Sequence, residues 1–283
     1  MVGCAVSGGA DSTALAILAT AAASSHGFVV RLEHVDHGLR PASSTDASAV
    51  ASLADRLGIE CVVHRLALVH GPNLEERARD ARYDVLSSDI CTGHTADDLA
   101  ETVVLHLLRG SGLDGVASMA RARPGGRSRP LLGIRRAETE ALCSQLGLRT
   151  VVDEMNADRR FRRVRVRHEV IPLLSDVADR DVTPLLARHA EVTADDAALL
   201  EHLSADVDPT ARWGLRDVAP ALARRAVRRW LASEGVGAGR SVDAATLDRV
   251  LAVADGTRVS CDVTGGWRVQ RTGGQLRLVR PLR

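Results

Sequence analysis

The first 108 residues alternate short apolar runs with longer segments of helical composition, and this alternation constrains the fold more than any other feature. The predicted strands are Val2–Val6, Phe28–Val35, Glu60–Leu66 and Asp89–Thr92. The predicted helices are Asp11–Ala23, Ala47–Leu57, Leu74–Leu86 and Ala96–Leu108. Strands that alternate with helices are typical of an α/β fold, a parallel sheet with helices on both faces. Because ligands of such sheets bind at the carboxyl ends of the strands, polar residues that follow the runs are the first functional candidates.

The rest of the chain is predicted to be mainly helical, with a small domain at its end. The predicted helices are Arg135–Leu146, Val164–Leu174, Pro184–Leu203, Val218–Ser233 and Ala244–Ala254. Asp206–Gly214 contains Pro209 and resembles a linker, and the tail Arg258–Val279 alternates around two Gly-Gly pairs, which is typical of hairpins. We therefore expect an α/β domain over residues 1–180, a helical linker over 181–210 and a small α+β domain over 211–283.

Cysteine usage and hydropathy exclude several classes of protein. The five cysteines form no CxxC pair, so a zinc site or a thioredoxin-type redox site is not indicated. Their odd number and apolar surroundings favour buried free thiols in a reducing compartment. No apolar run is long enough to span a membrane, and the expected location is the cytoplasm.

Charge is distributed unevenly along the chain. Residues 1–120 contain 8 arginines and 15 acidic residues (net −7), residues 121–167 contain 13 and 5 (net +8), and residues 168–283 are neutral. The chain has no lysine, so every fixed cation is a planar guanidinium suited to phosphate. The +8 stretch is either a footprint for a polyanion or an ordinary solvated surface.

A glycine-containing turn joins the first predicted strand to the first predicted helix. Its sequence is Ser7-Gly8-Gly9-Ala10-Asp11-Ser12. Glycines allow a tight turn with bare amides, and the helix N-terminus adds partial positive charge, which together predict a pyrophosphate cradle. The lack of lysine excludes a Walker-type loop. Asp11 beside phosphates predicts a bridging Mg²⁺, whereas the alternative is a simple capped turn.

A second polar cluster opens the fourth predicted helix. Asp98 and Glu101 are spaced i, i+3 and can face one pocket, where they could hold Mg²⁺ or the ammonium groups of an amino acid. Arg109 follows Glu101 by eight residues, about two helical turns, and could balance charge that develops during a reaction. The alternative is a capped helix with surface acids.

Several segments resemble known families. The hexapeptide at residues 7–12 is the signature of the PP-loop ATP pyrophosphatases, which have a HUP-like α/β fold. The segments that resemble the tRNA(Ile)-lysidine synthase family are His34–Arg40 with Ser43 and Asp46, Asn73–Tyr83, Gly93–Thr102 with Leu108–Leu113, Arg129–Leu132, and Asp153–Arg167. The resemblance runs from about Val2 to Leu174. Val164 stands where the family has asparagine, only six residues precede the phosphate loop, and the stretch between Tyr83 and Gly93 is shorter than usual.

The resemblance implies an ATP-dependent carbon–nitrogen ligase. Such enzymes attach free L-lysine to the wobble cytidine of the CAU anticodon of tRNA(Ile) through an adenylated tRNA, release AMP and pyrophosphate, and change the codon read from AUG to AUA. ATP, Mg²⁺, lysine and this tRNA are the expected ligands. A compact homodimer is compatible with the sequence.

The resemblance also implies roles for individual residues. The phosphate loop binds ATP, Asp11 binds Mg²⁺, Asp36 binds Mg²⁺ or positions the adenosine, and Asp98 or Glu101 serves as the base. The expected catalytic residues are Asp36, Asp98, Glu101 and Arg109. The expected contacts to substrate or tRNA are His94, Thr102, Arg163 and Arg167. His34 and His37 belong to the same motif as Asp36 but could also serve only in packing or capping. This structural role is favoured for His34.

Three other functions remain as alternatives. A tRNA thiolase of the same superfamily requires a reactive cysteine pair or an iron–sulfur cluster, and the chain has no CxxC. An amidotransferase-type synthetase would require a glutaminase domain. The third alternative is a non-catalytic nucleotide- or RNA-binding protein, and the intact phosphate loop argues against it.

Overall fold

The computed structural model describes residues 1–36, 38, 43–66, 74–119, 127–151, 158–237 and 242–280. His37 and the predicted Asp153–Asn156 part of the family motif lie outside these residues. The chain divides into two units, Met1–Ala194 and Asp195–Arg283.

The first unit is built on a parallel four-stranded sheet, which confirms the predicted α/β class. Its strands are β1 (Val2–Ala5), β2 (Val30–Asp36), β3 (Glu60–Arg65) and β4 (Cys91–Thr92), in the order β3-β2-β1-β4. The helices that connect and follow them are α1 (Ala10–His26), α2 (Ser43–Leu57), α3 (Leu74–Val85) and α4 (Ala96–Leu108). The strand order reverses between β1 and β4, so a ligand crevice is expected at the carboxyl ends of these two strands.

The remainder of this unit is helical. It comprises α5 (Leu113–Val116), α6 (Arg136–Gln145), α7 (Arg162–Arg165), α8 (Ile171–Val177) and most of α9 (Thr183–Leu203). A π-helical turn at Val166–Val170 joins α7 to α8, so the helix predicted at Val164–Leu174 is a continuous run over residues 162–177. Pro172 lies directly after that turn and has no amide hydrogen to donate to it. Such π turns occur frequently at functional sites.

The second unit has a helical layer and a three-stranded antiparallel sheet. Its helices are α10 (Arg212–Arg216), α11 (Pro220–Ser233) and α12 (Ala244–Asp255), and its strands are β5 (Ser260–Asp262), β6 (Arg268–Thr272) and β7 (Gln275–Val279). The predicted hairpins are therefore confirmed. The linker predicted at Asp206–Gly214 needs a correction, because it contains the start of α10. Leu215 of that helix is buried in the core of the unit, an anchor that the polar composition around Pro209 conceals.

All five cysteines are free; Cys61 is half-buried and the other four are buried. Across the described residues, no helix combines the length and the apolar character needed to cross a membrane.

Candidate active site

The phosphate loop connects β1 to α1 at the strand end where the crevice is expected. Gly8 adopts a positive φ of 89°, a conformation that glycine reaches without strain. The hydroxyl of Ser12 accepts the Ser7 amide at 3.1 Å and donates to the Gly9 carbonyl at 3.0 Å, so the turn is closed on itself. Gly9 caps α1 without a side-chain hydrogen bond, which leaves the helix N-terminus open to an anion.

The end of β4 is packed tightly against the first turn of α1. A Cβ atom on Gly93 would lie 2.8 Å from the Asp11 carbonyl oxygen, so any larger residue would push the two segments apart. This close approach places the N-terminus of α4 beside the phosphate loop. The resemblance of Gly93–Thr102 to a family motif thus has a steric reason at its first residue.

Asp98, at the start of α4, accepts hydrogen bonds from Thr95 and from two arginines. Its Oδ2 atom accepts the backbone amide of Thr95 at 2.9 Å and the Thr95 hydroxyl at 3.1 Å, which completes a capping box. Its Oδ1 atom accepts the guanidiniums of Arg136 and Arg163, both at 3.1 Å. Asp98 therefore fixes the helix terminus and belongs to a charged cluster.

Glu101 lies one turn later and is 1% exposed. Three guanidiniums surround it: the donors are Arg163 Nε at 2.8 Å, Arg167 Nε at 2.6 Å and Nη2 at 3.1 Å, and Arg136 Nη1 at 3.2 Å. Such charge-assisted bonds are the strong class of hydrogen bond, and they are required here because a buried carboxylate without partners is costly. The structure thus brings Arg163 and Arg167 to the same side, as their spacing indicates, and it places both on Glu101.

The N-terminus of α6 completes the cluster with residues that the sequence did not reveal. Arg136 Nε lies 3.4 Å from Asp11 Oδ2, and the Thr139 hydroxyl donates to Asp11 Oδ1. The backbone amide of Arg136 donates to Asp97 at 2.8 Å, and Arg135 pairs with the same carboxylate, so α6 is fixed onto α4. Arg136, Thr139 and Cys143 (i, i+3, i+7) share one face of a helix, but no local pattern indicates that this face packs on the phosphate loop.

Arg136 therefore links the phosphate loop to α4. It contacts Asp11, Asp98 and Glu101 at once, with its side chain 19% exposed. Three carboxylates and three guanidiniums (with Arg163 and Arg167) form this cluster, which we call the charged cluster.

The protonation behaviour of the two aspartates differs. Burial raises the pKa of Asp11, the negative charge of Asp98 adds to this, and the bonds from Thr139 and Arg136 only partly offset it. Burial also opposes ionisation of Asp98. There, the charges of Arg163 and Arg136 and the Thr95 amide outweigh burial and hold the pKa below its usual value. Asp11 is thus the carboxylate with the greater need for a further cation.

The charged cluster also explains part of the +8 stretch. Arg136, Arg163 and Arg167 neutralise acids of the −7 segment, and Arg135 pairs with Asp97 and Asp181. Part of the stretch is therefore internal charge compensation, which is neither of the two interpretations that composition alone offered.

Other predicted site residues lie apart from the charged cluster or beside it. Asp36 ends β2, and its Oδ1 atom accepts the amide of Gly38 at 2.9 Å. His94 bonds to the Thr92 hydroxyl at 2.8 Å, and its charge helps to lower the pKa of Asp98. Arg109 is the exposed C-cap of α4. His34 is buried, and its Nδ1 atom bonds to the Val6 carbonyl at 2.7 Å, in agreement with the packing role favoured for it.

Thr102, a predicted substrate contact, lies on α4 four residues after Asp98. It is buried, and its hydroxyl donates to the Met119 sulfur at 3.7 Å. We expect Thr102→Val, which keeps the shape, to change catalytic activity less than threefold and the free energy of unfolding by about 1 kcal/mol or less, because a bond to sulfur is weak. Steady-state kinetics and urea unfolding check this. A loss of activity above tenfold with normal stability would instead support Thr102 as a substrate contact.

Comparisons with known proteins agree on both units. A family model described as the PP-loop domain matches residues 1–174, and one described as the TilS substrate-binding domain matches residues 212–278. The tRNA(Ile)-lysidine synthase of Nocardia farcinica is 44% identical over 84% of this chain and 77% of its own length. That of Salinispora arenicola is 37% identical over 98% of this chain and 90% of its own length.

A solved structure shares the fold at low sequence identity. The U34-tRNA thiolase NcsA from Methanococcus maripaludis, with its [4Fe-4S] cluster, superposes with a TM-score of 0.59 at 18% identity and covers 69% of this chain and 71% of its own. This likeness concerns the fold alone. The matches of both family models and the identity to the lysidine synthases show more: the chain belongs to the tRNA(Ile)-lysidine synthase family.

Proposed function

We propose that the chain ligates L-lysine to the wobble cytidine of tRNA(Ile) bearing a CAU anticodon, with ATP as the activating substrate and an adenylated tRNA as intermediate. One observation carries the proposal: Arg136 joins Asp11 of the phosphate loop to Asp98 and Glu101 in one charged cluster. If the nucleotide binds at Asp11 and an ammonium group binds at Asp98 and Glu101, as we propose, the two sites are adjacent. The ligase reaction needs both within reach of one base.

In the proposed first step, the ring-carbonyl oxygen of the cytidine attacks the α-phosphorus of ATP, and the bond to pyrophosphate breaks. The N-terminus of α1 and the loop amides that follow Ser7 would bind the departing pyrophosphate. We propose that Arg163 and Arg167 add positive charge at this end of the sheet. Their fork-shaped guanidiniums fit phosphate as well as carboxylate.

A magnesium ion fits the site through Asp11. Among the residues that the structure describes, no three histidine, cysteine or acidic side chains form a metal site on their own. Mg²⁺ commonly binds one or two carboxylates together with substrate phosphates, and Asp11 is a half-buried carboxylate with a raised pKa within the phosphate loop. A bound Mg²⁺ would neutralise phosphate charge. We propose Asp36, at the end of β2, as the second carboxylate ligand of this Mg²⁺.

In the proposed second step, the ε-amine of lysine attacks the activated ring carbon, and AMP leaves. The amine must be neutral, although its usual pKa is about 10.4, so a base must accept a proton. We propose that Asp98 and Glu101 hold the lysine ammonium groups and that one of them accepts this proton.

The second unit is proposed to hold the tRNA. It contains a cavity of about 470 Å³ lined by Arg249, Arg258 and Arg268, with Asp262 as the acidic residue that pairs with Arg268 at 2.7 Å. Two guanidiniums in excess of the carboxylate suit an RNA phosphate. We propose residues 1–180 as the catalytic domain, 181–210 as the linker and 211–283 as the tRNA-binding domain. A reducing compartment such as the cytoplasm suits the five free thiols.

This cavity yields a quantitative prediction. Arg258→Ala should weaken tRNA binding. It should also make the plot of log K against log salt less steep by about 0.7–0.9, because one phosphate contact is lost. Filter binding over a salt series measures it. Arg224→Ala removes an exposed arginine of the same unit that is paired with Asp248 and should leave the slope unchanged. Equal slopes for Arg258→Ala and the wild type would contradict the phosphate contact.

The activity is tested by incorporation of labelled lysine into a tRNA(Ile) transcript. We expect incorporation that requires ATP and the wobble cytidine and that is lost when this cytidine is replaced by uridine. A sulfur-donor arm tests the thiolase alternative. Incorporation of sulfur without lysine would favour the thiolase, and ATP binding without any product would leave a binding protein.

A further inference from the structure

Trp213 is exposed although the chain has few aromatic residues to build a core. The sequence contains three tryptophans, one tyrosine and two phenylalanines, and the Trp213 side chain on α10 is 62% exposed. Burying a tryptophan is favourable because its ring is large and mostly apolar. A tryptophan left in solvent on an otherwise well-packed unit is therefore a sign of a binding surface.

Two guanidiniums accompany the ring. The Arg212 and Arg216 guanidinium carbons lie 5.0 and 5.5 Å from the Trp213 ring centroid, within the range of cation–π contacts. With 62% of the residue open to solvent, these two groups leave much of the ring surface free. The patch combines a flat apolar surface with two positive charges.

The patch is held in place by the packing of α10. Leu215 is buried in the core of the unit at 4% exposure. Arg212 donates from its backbone amide to the Gly274 carbonyl at 3.1 Å and from Nη2 to the Asp255 carbonyl at 3.1 Å. A ligand that binds here meets a preformed surface, and binding costs little ordering of the chain.

We propose that Trp213 stacks on an unpaired base of the tRNA, and that Arg212 and Arg216 contact the phosphates next to that base. The inference rests on the proposed function and adds a nucleotide subsite to it. A nucleotide is a ligand that offers both a flat aromatic face and an adjacent negative charge. Bases outside a helix are read in this way by aromatic side chains and arginine.

Intrinsic fluorescence and binding titrations test the subsite in the full chain. Titration with tRNA(Ile) transcript should quench the fluorescence contributed by Trp213, which is isolated as the difference between wild type and Trp213→Phe. Trp213→Ala should weaken tRNA binding about 5- to 150-fold, and Trp213→Phe less, because phenylalanine still stacks. Leu199→Ala removes another exposed apolar side chain of the unit (57% exposed) and should bind like the wild type.

Salt dependence separates the two parts of the subsite. Arg216→Ala should make the plot of log K against log salt less steep by about 0.7–0.9. Trp213→Ala should reduce the affinity and leave that slope unchanged, because stacking releases no counterions. Quenching by both full-length tRNA and an isolated anticodon stem–loop assigns the base to the anticodon arm. Quenching by full-length tRNA alone assigns it elsewhere in the molecule.

Two results distinguish a failure of the subsite from a failure of the proposed function. If the wild type binds tRNA but Trp213→Ala binds equally well without loss of the quench, the stacking subsite is wrong and the proposed function stands. If the wild type fails to bind tRNA at all, both the proposed function and the subsite built on it are overturned. The thermal midpoint of Trp213→Ala should match the wild type, because an exposed ring contributes little to stability, and this control excludes misfolding as the cause of weak binding.

Discussion

Asp11→Ala is expected to abolish pyrophosphate release and lysine incorporation, lowering kcat/KM by about 10³-fold or more. Asp11 lies on the first turn of α1, within the phosphate loop, where it is the proposed Mg²⁺ ligand. The same change should not destabilise the protein. The pKa of Asp11 is raised by burial and by Asp98, so ionising it opposes folding at neutral pH; alanine removes this cost together with the bonds from Thr139 and Arg136, and the two effects offset each other.

The combination of lost activity and retained stability is the diagnostic result. Pyrophosphate release and the urea midpoint are measured on the same preparation. Asp55→Ala, which removes an exposed aspartate from α2 of the same unit, is the matched control and should be fully active. A purified Asp11→Ala variant that keeps a tenth or more of the activity would show that Asp11 does not hold the metal.

Glu101→Gln is expected to reduce the free energy of unfolding by about 3 kcal/mol and to abolish lysine incorporation. The residue is 1% exposed and accepts bonds from Arg136, Arg163 and Arg167. Glutamine has almost the same shape, but it cannot balance three guanidiniums, and its NH₂ group would face donors in place of an acceptor. The guanidiniums remain partly exposed, so solvent limits the cost.

Glu169→Gln is the control for this change. Glu169 accepts Arg165 at 3.1 Å in an i, i+4 pair on the surface, and removing such a pair costs roughly 0.3–0.5 kcal/mol. Urea unfolding of both variants should therefore differ by several-fold in the energy lost. Equal losses would mean that Glu101 is solvated and that the charged cluster does not form.

Lysine incorporation by Asp98→Asn and by Glu101→Gln separates the two candidate bases, because only the true base is irreplaceable at saturating lysine.

The sequence predicts the features that have a local cause. The alternation of runs gives the parallel sheet, and the glycine turn at residues 7–12 gives the phosphate loop at its central strand. Both follow from periodicity and backbone freedom, which are readable residue by residue. The hairpins around the two Gly-Gly pairs of the tail are predictable for the same reason.

The features that the sequence missed depend on contacts between distant segments. Arg136 and Thr139 join the site because α6 packs on α1 and because Asp97 fixes the start of α6, more than 35 residues away in sequence. No local pattern sets that packing. The role of Arg163 and Arg167 as partners of Glu101 was likewise hidden, since their spacing is equally suited to phosphate. The site roles predicted for Asp36 and Arg109 stay predictions.

The most direct test of a ligase that works through an adenylated tRNA is a single-turnover reaction with α-phosphate-labelled ATP, tRNA(Ile) transcript and no lysine. We expect tRNA-dependent release of pyrophosphate while the label stays on the tRNA, followed by release of labelled AMP only when lysine is added. Pyrophosphate release without tRNA, or AMP release that does not wait for lysine, would contradict activation of the tRNA by adenylation.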